Sequence, residues 1–136
     1  MFPSGGGRRS DKRWVSNMTV QDIYIIAAAL VGDRENDDPD EQDFAIPYMN
    51  LLMQEALDTE NTMRMRDGQE LLTVAPTVTS ITDNVPYHDV LCRVAFPYGL
   101  AWQYQQEAGN LSLSAQYRNM FVDTVDNNRC FIARKM

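Results

Sequence analysis

Apolar positions recur at helical spacing in four stretches of the chain. Val20, Ile23, Tyr24, Ala27, Leu30 and Val31 share one helical face. Thr19 stands where an N-cap belongs, Asp22 follows at capping-box distance, and Gly32 supplies a stop. A second face (Phe44, Tyr48, Leu51, Leu52, Ala56) begins after Asp43 and runs to Arg66, with Gly68 as terminator. Pro47 is tolerated in its first turn, where a missing N–H does least harm. The third helix opens at Pro86, carries Tyr87, Val90, Leu91, Val94, Tyr98 and Ala101, and ends at Gly109. Pro97 falls inside this pattern. It removes one hydrogen bond and crowds the carbonyl of Arg93, so a kink is expected there. Gly99 lacks a Cβ and lets another helix approach closely. A fourth helix, capped by Asn110 or Ser112, has Leu113, Tyr117, Met120, Phe121 and Val125 as its face and stops at Asn127 and Asn128.

Residues 70–82 (ELLTVAPTVTSIT) are β-branched and contain Pro76, which predicts an extended segment or a short hairpin. No repeat of solenoid length is present. The pattern therefore predicts an all-α fold: a four-helix domain over 18–128, an arm over 1–17 and a docking tail over 129–136.

Composition adds few constraints. With 136 residues, 44% apolar and 23% charged, the chain is long enough for one core without a metal or disulfide staple. No apolar run approaches the roughly 20 residues of a membrane span, and no secretory signal or membrane partner is expected. Cys92 and Cys130 lack CxxC spacing, which favours free thiols in a reducing compartment.

Charge is more informative by position. Residues 1–17 carry net +3 through Arg8, Arg9, Lys12 and Arg13 against Asp11; residues 129–136 carry net +3 through Arg129, Arg134 and Lys135. The stretch 18–128 carries net −13. An acidic body repels nucleic acid, whereas basic ends suit an acidic surface on a partner or a neighbouring copy.

Candidate catalytic chemistry is sparse. His88, the one histidine, lies beside Asp89 and four residues before Cys92. A carboxylate-oriented base or a Cys–His pair can be drawn from these residues. The plainer expectation is an exposed histidine in a first turn and a small core cysteine. Asp33, Glu35 and Asp37 alternate as in a calcium loop, but the sixth position is Asp38 rather than Gly and the twelfth is Phe44 rather than Glu. The motifs of nucleotide, dinucleotide and zinc sites are missing. No catalysed reaction, cofactor or metal is expected. Met49, Met53, Met63 and Met65 lie off the main face of the second helix, as adaptable partner contacts or as gap fillers. Cys130, Phe131 and Ile132 form an apolar triplet between basic residues, suited to docking in a partner's groove.

From about residue 18 onward the chain resembles the adaptor (head–tail connector) proteins of tailed bacteriophages. The resemblance rests on MTVQDIYIIAAALVGD, on FAIPYMNLLMQEAL, and most on the stretch from Ile81 to Asn128. In such proteins an extended segment and an acidic-x-(Ile/Val)-Pro element precede a helix with a Pro-Tyr-Gly-Leu-Ala-type centre. A helix with a tyrosine on its face and a C-terminal tail follow. Val85-Pro86 and Pro97-Tyr98-Gly99-Leu100-Ala101 carry that pattern here. The arm 1–17 departs from the family's short N-terminus, and Met18 is an alternative start.

The resemblance implies a structural virion protein assembled in the bacterial host cytoplasm. Its copies would form a homo-oligomeric ring, usually a dodecamer, beneath the portal protein. The ring would extend the channel through which genomic DNA passes without specific binding, and would dock tail or tail-terminator proteins. The tail (Arg129, Cys130, Phe131, Ile132, Arg134, Lys135) would contact the portal. The charge pattern, apart from the resemblance, assigns the arm (Arg8, Arg9, Lys12, Arg13) to a neighbouring subunit, and residue chemistry assigns Pro97 and Gly99 to helix packing. A helical regulator or assembly chaperone, monomeric or dimeric, is the alternative.

Overall fold

A computed structural model describes residues 16–32 and 42–135, with side chains described as far as Arg129. The fold is all-α. Five α-helices occur among the described residues: α1 (Val20–Leu30), α2 (Ala45–Glu55), α3 (Leu57–Arg66), α4 (Phe96–Glu107) and α5 (Leu111–Lys135). A π turn, Leu91–Ala95, leads directly into α4.

Local signals start and stop α1 as its sequence predicts. The Asp22 N–H donates to Thr19 Oγ1 at 3.2 Å and the Thr19 N–H donates to Asp22 Oδ2 at 3.1 Å. Such a reciprocal cap contributes about 1 kcal/mol. Gly32, Gly68 and Gly109 follow α1, α3 and α4 with φ near +80°, a conformation that a side chain would strain.

The second helix is not continuous as expected. It breaks at Ala56, so there are five helices rather than four. No Gly or Pro marks the break; packing imposes it. α2 buries Met49, Leu52 and Met53 on the side of α4, whereas α3 buries Thr59, Glu60 and Met63 and packs against α5. One straight helix does not present both faces. Met49, Met53 and Met63 are therefore core residues, and of the four methionines only Met65 is exposed, at 66%.

Residues 67–86 contain no strand and no hairpin. They form an extended strap over α2 and α3, fastened by two asparagines. Asn61 donates to Leu72 O at 2.9 Å and accepts from Leu72 N–H at 2.8 Å. Asn50 treats Val78 the same way, at 3.1 and 2.8 Å. Each amide copies the pairing of a neighbouring strand. The end of the strap runs antiparallel to residues 16–21: Ser16 N–H donates to Tyr87 O, Val85 N–H to Met18 O, and Val20 N–H to Asp83 O.

The third helix starts later than Pro86: Tyr87 N–H turns back to Val85 O at 2.8 Å, and helical backbone begins at Asp89. A kink is expected at Pro97; the structure has a π turn, Leu91–Ala95, just upstream of it. Pro97 has no N–H to return to Arg93, and the wider turn accommodates that loss. α4 then crosses the middle of the molecule, packed against α5, α1 and α2. Tyr87, Phe96, Phe121, Ile23, Leu52 and Leu91 form the centre of the core. At Gly99 an added Cβ would lie 2.7 Å from both Leu52 methyls, so α2 and α4 meet there only because Gly99 has no side chain.

α5 does not stop at Asn127 and Asn128. Asn128 Nδ2 donates to Thr124 O within the helix at 2.8 Å, and Arg129 pairs with Asp126 one turn back at 3.0 Å. Helical backbone continues over residues 129–135.

Candidate functional site

The described residues with the most concentrated chemistry surround His88. α3 places Glu60 and Arg64 one turn apart on its inner face, and Asp67 follows the helix end. The turn before α4 inserts His88 between them. Glu60 is fully buried and His88 is 5% exposed, against the expectation of an exposed histidine.

A buried carboxylate needs donors at its oxygens. Glu60 receives the His88 backbone N–H at 2.8 Å, His88 Nδ1 at 3.0 Å and Arg64 Nε at 2.6 Å. The other ring nitrogen, Nε2, lies 2.8 Å from Asp67 Oδ2. Arg64 also donates to the carbonyl of Pro86 at 2.9 Å, and Arg66 pairs with Asp67 at 2.9 Å. With a carboxylate at each nitrogen, the geometry fits the imidazolium, in which both nitrogens donate. Burial alone would lower the His88 pKa, but the hydrogen bonds and charges of Glu60 and Asp67 outweigh it and hold it above its ordinary value. Arg66, and secondarily His88, hold Asp67 below the usual carboxylate range against the opposing effect of burial.

This arrangement ties α3 to the entry of α4. His88 has no ring nitrogen left to take a substrate proton, and Asp89 is bonded to Arg93 rather than to His88. Cys92 is buried beneath the same turn, with Val85 O and Tyr87 O each 3.6 Å from its sulfur. Burial pushes its thiol up to about 12 despite opposing hydrogen bonds, so almost no thiolate exists at neutral pH. The Cys–His pair drawn from the sequence is not assembled. Glu60 and Asp67 stand on opposite edges of the imidazole and do not converge on a common point for an ion. Among the described residues no group of three metal-ligating side chains occurs. The alternating acids 33, 35 and 37 lie outside the described residues.

A shallow groove of about 50 Å³ runs between α1, α2 and α4, lined by Tyr24, Ala28, Phe44, Tyr48, Leu100 and Tyr104. Phe44 stands at its lip, 60% exposed, and the Tyr48 hydroxyl donates to Glu107 across it. Large apolar side chains are also exposed on other elements: Ile25 on α1, Leu51 on α2, and Leu111, Leu113 and Met120 on α5.

The sequence-derived contact residues fall in three groups. Pro97 and Gly99 are buried within α4, Gly99 beside Leu52 of α2. Arg129 is an exposed residue of α5 paired with Asp126. Arg8, Arg9, Lys12 and Arg13 lie outside the described residues, as do the side chains of Cys130, Phe131, Ile132, Arg134 and Lys135. Sequence reasoning missed Glu60, Arg64 and Asp67. A Glu-x-x-x-Arg spacing on one helix was the only visible signal; the link from Glu60 to His88 spans 28 residues and has none. Among the described residues no helix is long and apolar enough to cross a membrane. Comparison of the chain with protein-family models, with curated proteins and with solved structures gives no match.

Proposed function

We propose that the chain is a structural subunit of a ring-shaped adaptor between the portal and the tail of a tailed phage, and that it acts by assembly rather than by catalysis. The reading starts from the resemblance carried by Val85-Pro86 and Pro97–Ala101. The observation that carries it further is the exposed apolar surface on separate elements: Leu111, Leu113 and Met120 on α5, with Phe44 just before α2 and Leu51 on it. A closed ring needs two different surfaces per subunit, each complementary to the other. The Gly99–Leu52 contact gives the Pro-Tyr-Gly-Leu-Ala block a packing role that accords with the resemblance. The locked His88 and the protonated Cys92 thiol favour a fold built for contact over one built for proton transfer or nucleophilic attack.

The ring would leave the acidic body towards sliding DNA and use the ends of the chain for protein contacts. The test is incorporation. The chain mixed with its portal protein should join it as a multi-copy ring, and a Leu111→Asp, Leu113→Asp double variant should stay folded and fail to join. Truncation after Asn128 should also prevent incorporation. A chain that remains a monomer or dimer in the presence of portal would favour the regulator or assembly-chaperone reading.

A further inference from the structure

We propose that the proton on Nε2 of His88 is a pH-controlled latch, which holds the turn of residues 67–71 closed against α3 and releases it when the proton leaves. The proposal does not depend on the adaptor reading. It rests on the position of a buried imidazole between two carboxylates that differ in their freedom to move.

Glu60 is fixed. It lies in the middle of α3, is fully buried, and receives Arg64 Nε and the His88 backbone N–H in addition to the ring. Asp67 is not fixed in this way. It follows the last turn of α3, its side chain is 13% exposed, and its other charged partner is the adjacent Arg66, itself 38% exposed. A neutral imidazole keeps one N–H. Retained on Nδ1, it still serves Glu60, and a lone pair on Nε2 then faces Asp67 Oδ2 across 2.8 Å. That contact is repulsive, and Asp67 can leave it for water.

The surrounding charges do not replace the proton. Arg64 is engaged with Glu60, with the Pro86 carbonyl and, at 3.3 Å, with the Glu70 carbonyl, and Arg66, 38% exposed, is spent on its neighbour Asp67. From the strap comes Tyr87, whose hydroxyl donates to Met53 O; from the turn of His88 itself come Asp89, paired with Arg93, and the Cys92 thiol. α5 packs on α3 and on the π turn through Phe121 and Val125. Its Arg118 pairs with Glu55 and its Asp126 with Arg129, and Asp123 is exposed. Arg66 does donate to Asp67, Nε to Oδ1 at 2.9 Å and Nη2 to Oδ2 at 3.0 Å, but as the adjacent residue it moves with Asp67 and does not tie it to the entry of α4; none of the other groups donates to Asp67. Release would be local, because Asn61 still holds the strap at Leu72 and Asn50 holds it at Val78. The backbone loosened is the turn in which Gln69 N–H donates to Arg64 O at 2.8 Å and Glu70 O accepts from Arg64 at 3.3 Å, contacts that then hold the turn without the His88–Asp67 anchor.

His88 is the single histidine, so imidazole NMR signals report this site alone. The experiment titrates the full 15N-labelled chain from pH 5.5 to 9 and follows both ring nitrogens together with amide exchange at residues 68–71. The expected result is a doubly protonated ring at pH 6.5 and a titration midpoint above that value. Above the midpoint, opening of residues 68–71, corrected for intrinsic exchange, should grow about tenfold per pH unit until it levels off. Asp67→Asn, which retains the side-chain shape, should lower the midpoint and remove this pH dependence at 68–71. A neutral ring at pH 6.5, an unchanged midpoint in Asp67→Asn, or exchange at 68–71 that ignores the titration would each overturn the proposal.

Discussion

Gly99 and Leu52 are the residues on which the approach of α2 to α4 depends. A Cβ at 99 would meet the Leu52 methyls at 2.7 Å, and Leu52 is itself fully buried, so it has no empty space to retreat into. Gly99→Ala should therefore cost about 1–3 kcal/mol in urea unfolding, as overpacked cores do. Leu52→Ala alone should cost about 2–5 kcal/mol. Combined with Gly99→Ala it should cost clearly less than the sum, because the smaller side chain vacates the space that the new methyl needs. A fully additive pair would show that the two residues do not share that space. At Cys92 the expectation concerns reactivity. In a Cys130→Ser background the folded chain should resist a thiol reagent at pH 8 and react promptly in denaturant, since the thiol is buried and its pKa is raised to about 12. Rapid labelling of the folded chain would contradict the burial.

Glu60 belongs to the residue scale as well. Glu60→Ala would strand His88 and Arg64 in the interior, and removal of one partner from a buried charge cluster costs about 3–5 kcal/mol. The pH dependence has a definite sign. A histidine whose folded-state pKa lies above its ordinary value of 6.5 contributes stability that is complete below 6.5 and is lost as pH rises through the folded value. Asp67 acts in the opposite sense: its depressed pKa contributes stability above about 3.8, lost as pH falls through the folded value. Thermal melts of Asp67→Asn and the unmodified chain should therefore converge in strong acid and differ most between these two limits.

Among the elements, some were legible in the sequence and some were not, for a consistent reason. α1 was legible because everything that defines it is local: a capping box, an apolar stripe and a glycine stop. The break at Ala56 was hidden because nothing in Glu55-Ala56-Leu57 disfavours a helix; the demands of α4 and α5 on different faces produce it. Asn127-Asn128 looked like a stop because asparagine is a poor helix former, yet Asn128 bonds back to Thr124 and the helix continues. Pro97 predicts a kink, whereas the structure has the π turn just upstream of it. The His88 cluster was half legible: His88 and Cys92 are spaced four residues apart, while the partners that matter, Glu60 and Arg64, come from α3. For the strap, β-branched residues and Pro76 fit an extended segment or a hairpin equally well; its fastening by Asn50 and Asn61 decides for the extended form and has no local signal. Asn50→Ala and Asn61→Ala each remove a donor and an acceptor from a backbone site, a loss of about 1–3 kcal/mol by the cost of unpaired polar groups. Each should speed amide exchange near its own anchor, Val78 or Leu72, more than at the other. Equal acceleration at both anchors would mean that the strap opens as one unit.

At the scale of the whole molecule the dominant features are charge and uncovered apolar surface. Residues 18–128 carry net −13, against +3 at each end. The chain should bind duplex DNA weakly or not at all at moderate salt, because counterion release needs several basic groups on one face. Its contacts with protein partners through the basic ends should weaken as salt rises, since exposed charges are screened over about 8–10 Å. Tight DNA binding with a steep salt slope would instead place the chain among nucleic-acid-binding proteins. The apolar side chains exposed on α2 and α5 are the surface through which the proposed ring would assemble. The most direct test of the central claim is electron microscopy of the chain mixed with its portal protein. The account predicts closed rings of many copies stacked on the portal and an open central channel. Portal particles that carry no added ring, with the chain left in solution as a monomer or dimer, would contradict it.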